Sequence, residues 1–334
     1  MTMKTNNNVY PALDLEALRS SRDSLSGHAT AAQVLSIKYE YLPEVLERFK
    51  RLRGHIDAAA RGLNSASLAS KVDLEFQVKK LRGLQAEGAK AGASADLLVE
   101  IEQDLASTLS AMFIPTRKAA ISVSQCLANI SDGYDNGMTS GYSDKLQRDQ
   151  QVAMDAKPAL EKALVDLGGQ RKVIRDAIEA IEKAGVEKIN QQIGLSIDQI
   201  NALGMAPPEA QLVAFAIEQL KKSLADINEA VTFMSMLNES DRLLREIHGL
   251  QDRIKQIDTD IEQFAGKIAF IREIHTMSAQ CDRYAQQYRQ VDHAFQKFLA
   301  FAKTNATGEI KERTTAAIEE AVRFIAFLAP VSLS

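Results

Sequence analysis

At 334 residues, with 46% hydrophobic and 25% charged content, only 7 prolines and no tryptophan, the chain has the composition of a helical bundle with Ala-, Leu-, Gln- and Glu-rich surfaces. A formal charge of −4, with basic and acidic residues interleaved, excludes a nucleic-acid footprint and a polybasic membrane patch. The opening, MTMKTNNNVYPALDLEAL, has one lysine and no apolar core, so it does not read as a signal peptide, and no stretch reaches the ~18 apolar residues of an ordinary transmembrane helix.

Met1–Val9 is polar, and residues 1–10 are expected to be disordered. Beyond Tyr10-Pro11, Leu13, Leu15 and Leu18 predict a short amphipathic helix ending near Ser26-Gly27, with Thr30 capping the next one. That next helix carries Val34, Leu35, Tyr39, Leu42, Val45, Leu46, Phe49 and Leu52, then Ile56, Leu63, Leu74, Val78 and Leu81, with a kink at Pro43. Glu87–Ser94 reads as a turn in which Ser94 caps a helix bearing Leu97, Leu98, Ile101, Leu105 and Leu109; Pro115 bends it, and it reaches about Ile130. Ser131–Gly141 is the clearest loop, with three glycines four apart. A helix resumes near Asp144 and carries Leu160, Leu164, Leu167, Ile174, Ile178, Ile181, Ile189 and Ile193, interrupted by Gly168-Gly169 and Gly185. Gly204 and Pro207-Pro208 then force a reversal into a helix predicted to run from Glu209 to about Lys303. After a turn near Asn305–Gly308, a last helix ends in Phe324-Ile325-Ala326-Phe327-Leu328.

The strongest pattern lies in that long helix. Leu243, Ile247, Leu250, Ile254, Ile257, Ile261, Phe264, Ile268, Ile271 and His275 alternate steps of four and three, the 3.5-residue repeat of helices that share a seam. Some 95 residues at ~1.5 Å each make a rod of roughly 140 Å. A short connection between two long helices makes an antiparallel hairpin, so Asp144–Leu203 and Glu209–Lys303 are expected side by side about a bend near Ala206. The fold class is all-α: an elongated multi-helix bundle with a long antiparallel coiled-coil stalk and a weakly apolar hairpin tip. Residues 11–143 and 282–334 form the body, 144–188 and 219–281 the stalk, and 189–218 the tip; no composition shift marks separate domains. On this register Cys281 lies level with about Ser131, near Cys126. Two free thiols are nevertheless expected, because level alone does not bring Cα atoms within ~7 Å.

A solvated tip should be the most polar part of such a hairpin, yet across Ile189–Ile217 only Asp198 and Glu209 are ionised. Ten Ile, Leu, Val and Phe residues contribute about −3 to −6 kcal/mol toward insertion, and one aspartate near mid-depth costs about 2.5 to 3.5. So balanced a segment does not enter a bilayer alone, but it could do so in an assembly that shields its Asp, Asn and Gln from lipid. The membrane-facing candidates are Ile193, Leu195, Ile197, Ile200, Leu203, Met205, Pro207, Pro208, Leu212, Val213, Phe215 and Ile217. The other reading of the same residues is a hairpin simply buried against another part of the protein. On the first reading, Ile200→Asp and Phe215→Asp leave the monomer folded and abolish membrane activity, while Lys255→Glu on the stalk matters much less.

Signs of catalysis are missing. His28, His55, His248, His275 and His293 show no HExxH spacing, and neither G-x-S-x-G nor a Walker-type glycine loop occurs. Asp132, Asp135 and Asn136 lack the spacing and closing glutamate of an EF-hand and read as a solvated turn. His275, on the seam, reads as a satisfied interface histidine, and each cysteine as a small core hydrophobe. No cofactor, metal site or catalytic residue is expected.

With its Pro11-Ala12-Leu13-Asp14 start, multi-helix body, coiled-coil neck and weakly apolar mid-chain hairpin, the chain resembles the smaller, B-type subunit of the xenorhabdolysin-like binary toxins, in the cytolysin A class of α-helical pore formers. The resemblance covers nearly the whole chain and rests on architecture and length. It implies a soluble monomer, secreted without a cleavable signal peptide, that joins a larger A-type partner on a target-cell lipid membrane. There it rearranges its hairpin and assembles into a hetero-oligomeric lytic ring. The tip departs from the family in being more polar than the apolar tongue of cytolysin A. A coiled-coil scaffold or tether with no enzymatic activity is the competing class.

Overall fold

The computed structural model describes residues 10–90, 94–131, 134–185, 187, 194–223 and 230–333. Among them are eight helices and no strand: α1 Leu15–Tyr39, α2 Pro43–Gly88, α3 Ala95–Ile130, α4 Gly137–Gly185, α5 Ile197–Ala202, α6 Pro207–Ser223, α7 Phe233–Thr304 and α8 Ile310–Val331. The chain divides into two compact units, one ending at Ser143 and taking in Lys267 onward, the other Asp144–Gly266. By their ranges, α4 and α7 contribute to both.

In the first unit α2 packs on α1, α3 and α8, and α3 also packs on α8. Asp14 of the Pro11–Asp14 start caps α1, its carboxylate accepting from Ala17 N–H at 2.8 Å. Tyr10 donates to the buried Glu320 carboxylate at 2.5 Å and lies against Phe324 and Phe327, with ring centroids 5.3 and 5.5 Å away. Burial first, and then that hydrogen bond, push its phenol above the ordinary range. Phe298 stacks on Phe324 at 4.5 Å and Phe295 meets the same ring edge-on at 5.2 Å, so α7 and α8 share an aromatic interior.

Several boundaries differ from the sequence reading. Ser26-Gly27 does not end a helix: α1 runs on because Leu25, Ala29, Ala32 and Ser36 keep one face buried, which outweighs the ~1 kcal/mol cost of a helical glycine. Pro43 opens α2 rather than kinking a longer helix, and the break before it places Glu40 and Leu42 in the left-handed region, with φ of 47° and 45°. Ser36 closes this turn by accepting from Tyr41 N–H at 3.2 Å. Ser94 caps α3 as expected, accepting from Leu97 N–H at 3.3 Å. The loop after Ile130 is shorter than read, since α4 begins at Gly137. Asp135 accepts from Gly137 N–H at 2.8 Å and seats that start; Asp132 lies outside the described residues.

In the second unit α4 and α7 run antiparallel. Gln150 donates to the Ile261 carbonyl at 3.4 Å, Lys157 meets Asp258 at 2.6 Å, and Arg171 donates to the Ser240 carbonyl at 3.3 Å. Each pair is centred close to Ala206-Pro207, where the sequence puts the bend. Ile247, Leu250, Ile254, Ile257 and Ile261 are half-buried, as a two-helix seam leaves them. His275, in the first unit, lies 2.8 Å from Thr139 Oγ1 and is satisfied there. Both cysteines are free. Cys126 lies beside Tyr288, seven residues along α7 from Cys281, and that is about 10 Å of helix rise. Burial pushes the Cys281 thiol up to about 12.

Candidate functional site

The long helix expected from Glu209 to Lys303 is broken. Ala230–Thr232 is not helical, and Thr232 opens α7 in a reciprocal cap: Ser235 N–H donates to Thr232 Oγ1 at 3.0 Å and Thr232 N–H to Ser235 Oγ at 2.8 Å. The other limb also stops early, α4 ending at Gly185 rather than reaching Leu203. Between these two ends, and within the same compact unit, the described residues 194–223 and 230–232 make up what is called the head below.

Its local structure follows from the sequence. Ser196-Ile197-Asp198-Gln199 makes a capping box, Gln199 N–H donating to Ser196 Oγ at 3.3 Å and Ser196 N–H to Gln199 Oε1 at 3.0 Å, and so starts α5. Gly204 ends the turn with φ +68°, a conformation that glycine adopts without strain. Pro207 at the first position of α6 needs no N–H donor, and the Ala206 carbonyl accepts from Glu209 and Ala210 at 3.0 Å each. On α6, Val213, Ala216, Ile217 and Leu220 fall on one helical face.

That face closes an apolar core. Leu195, Ile200 and Leu203 pack with it, walled by Ile174, Ala177, Ile178 and Ile181 of α4 and by Val231, Phe233, Met236 and Leu243 beside or on α7. Ile200 is 1% exposed and Val213 0%. The two segments flanking the head touch: Leu195 N–H donates to the Val231 carbonyl at 2.7 Å, and a Cβ on Gly194 would stand 2.6 Å from the Ala230 Cβ. Gly194→Ala is therefore expected to push these segments apart at a cost of about 1–3 kcal/mol, lowering the denaturant midpoint and raising binding of a dye that reports exposed apolar surface. An unchanged midpoint would show that this contact does not hold the head closed.

The twelve candidate residues are distributed unevenly. Leu195, Ile200, Leu203, Val213 and Ile217 are buried, Met205 and Leu212 are half-buried, and Pro207, Pro208 and Phe215 are exposed, Phe215 by 56%. Ile193 lies outside the described residues, as does the side chain of Ile197. The burial of Ile200 overturns the expectation that Ile200→Asp leaves the monomer folded: the residue is core to the head rather than surface at a tip. Sequence reasoning missed the walls, although the Ile174, Ile178 and Ile181 repeat marked one of them. Asp198 and Glu209, the two ionised residues of Ile189–Ile217, are exposed in the first turns of α5 and α6, where carboxylates suit the helix dipole. Among the described residues no helix is long and apolar enough to cross a membrane, and no three His, Cys, Asp or Glu side chains gather as metal ligands.

No sequence family matches the chain, and no curated protein resembles it in sequence. Solved structures do resemble it. PaxB from Photorhabdus luminescens superposes with a TM-score of 0.76 at 14% identity, over 97% of this chain and 97% of that one. XaxB from Xenorhabdus nematophila gives 0.77 at 12% identity, over 97% and 98%. A chain of the XaxAB pore complex from the same organism gives 0.58 at 11% identity, again over 97% and 98%. The all-α bundle is thus the fold of PaxB and XaxB, carried end to end by a sequence that has little else in common with them.

Proposed function

We propose that this chain is the smaller, B-type subunit of a two-component α-helical pore-forming cytolysin. It acts outside the producing cell, joining a larger A-type partner on a target-cell membrane and assembling with it into a hetero-oligomeric ring that permeabilises the bilayer. One observation supports this above the others. An apolar head is packed shut between two non-helical segments, in a fold that matches XaxB and, less closely, a chain within the XaxAB pore complex.

The step from monomer to ring follows from the packing. In water the core of Ile200, Val213, Ala216, Ile217 and Leu220 is stabilised by burial, at about 25 cal/mol per Å² of apolar surface. At a bilayer that term no longer opposes opening, because lipid tails are as apolar as the core. Opening parts Leu195 from Val231 and presents Ile193–Ile217 to lipid. Neighbouring subunits in the ring shelter Asp198, Asn201 and Gln199 from hydrocarbon. The work is assembly rather than catalysis.

Dye release from lipid vesicles tests this. The chain and a larger helical partner, such as the product of a neighbouring reading frame, are expected to release little dye singly and most of it together. If the pair releases no more than either chain alone, the competing reading of a coiled-coil tether gains.

A further inference from the structure

On α4, Gly168, Arg171, Lys172 and Arg175 follow one another at i, i+3, i+4 and i+7, so they share one face of the helix. With Asp176 and, across from α7, Ile247, they line a groove of about 310 Å³. The groove is open beside Gly168, where a Cβ would meet nothing within 4 Å. Arg171 is fixed, its Nε donating to the Ser240 carbonyl at 3.3 Å, while Lys172 and Arg175 are exposed.

The carboxylates beside the groove form their ion pairs with other cations, and Arg175 also acts electrostatically on Glu179. Glu179, one turn beyond Arg175, pairs with Lys183 at 2.9 Å, and Glu239 and Glu246 both pair with Arg242, at 2.6 and 2.5 Å. Among the described residues, neither Lys172 nor Arg175 forms an ion pair. Like charges at i, i+4 repel on a helix, so Arg171 and Arg175 sit together at a cost that a bound anion would offset.

We propose that this groove is a binding site for a phosphate group. Asp176 balances one of the three cations and leaves two positive charges over, which suits a phosphate monoester carrying about −1.5 to −2 at pH 7 better than a single carboxylate. The guanidinium forks of Arg171 and Arg175 match tetrahedral phosphate oxygens, and the Lys172 ammonium adds a point charge. At about 310 Å³ the groove has room for such a group, from either a lipid headgroup or free phosphate. The site stands apart from pore formation, since a chain that lyses nothing would still carry it.

Binding of the isolated chain tests the site, first to inorganic phosphate by calorimetry and then by co-sedimentation with phosphatidylcholine vesicles with and without phosphatidic acid. The parent should bind phosphate, the phosphatidic acid vesicles, or both. Vesicle binding that free phosphate displaces identifies the headgroup as ligand, and phosphate binding without vesicle binding identifies the soluble ion. Lys172→Gln with Arg175→Gln should weaken whichever binding is seen by about 25-fold, from roughly fivefold for each cation near an anionic surface. Circular dichroism should not change, because both side chains are exposed. Asp176→Asn should tighten binding, and Lys162→Gln, elsewhere on α4, should leave it unaltered. The site is refuted if the parent binds neither probe, if the double variant binds as the parent does, or if Lys162→Gln costs as much as the double change.

Discussion

Phe215→Asp is expected to abolish lysis while leaving the soluble chain folded. The side chain is 56% exposed on the outer face of α6, so its replacement costs the closed head no more than about 0.5 kcal/mol. In the open state proposed above the same position would face lipid, and an aspartate near mid-depth costs about 2.5 to 3.5 kcal/mol against a segment whose insertion balance is near zero. Each subunit then loses roughly two orders of magnitude in the open population, and a ring compounds that loss. Haemolysis and dye release with the partner present should fall to background, with an unaltered circular dichroism spectrum and thermal midpoint. Parental lysis by this variant would mean that the chain supports its partner's insertion rather than entering the bilayer itself.

Ile200→Asp should fail in the opposite way, by unfolding the head before any membrane is met. Ile200 is 1% exposed in an apolar core with Leu195, Leu203, Val213 and Ile217. An uncompensated buried charge costs about 3–5 kcal/mol, a large share of a small domain's stability. Burial raises the folded-state pKa of the introduced carboxyl above its unfolded value near 4. The folded state then binds the proton more tightly, so stability falls as pH rises through that interval, and the defect should be full at pH 7 and shrink toward pH 4. Urea unfolding at the two pH values measures this, and equal defects at both would place the residue in contact with water. Comparing the two variants separates a packing role from a lipid-facing one within the same short segment.

Much of this architecture was legible because it rests on periodicity. The four-three ladder from Leu243 to Ile271 marked a seam, the short connection about Ala206-Pro207 named the partner helix and its direction, and the pairs Gln150 with Ile261 and Arg171 with Ser240 lie where that bend requires. The head was harder to read because α4 stops at a single glycine, Gly185 with φ 101°, and α5 and α7 are opened by side-chain caps rather than by proline or a glycine cluster. Ser196-Ile197-Asp198-Gln199 carries the capping-box signature in plain sequence, and Thr232-Phe233-Met234-Ser235 carries a weaker hydroxyl version of it. Both were overridden by the longer apolar repeat. That repeat is real in each case: the residues that suggested continuous helix are the ones that line the closed core. At Ser26-Gly27 the error was the reverse, a weak breaker credited over a face that stays buried through Ser36. The low charge of Ile189–Ile217 was informative, but a composition gap does not tell a sheltered core from a lipid-facing tip. Only burial, residue by residue, separates Ile200 from Phe215.

The central claim is that the head opens and enters lipid when the partner is present. A polarity-sensitive fluorophore on Phe215→Cys, with Cys126→Ser and Cys281→Ala removing the native thiols, reports on it directly. In solution and with vesicles alone the probe should emit as if in water. With vesicles and partner together its emission should shift to the blue and be quenched by a quencher carried on the lipid acyl chains, in step with dye release. A probe that stays in water while the vesicles empty would contradict the account.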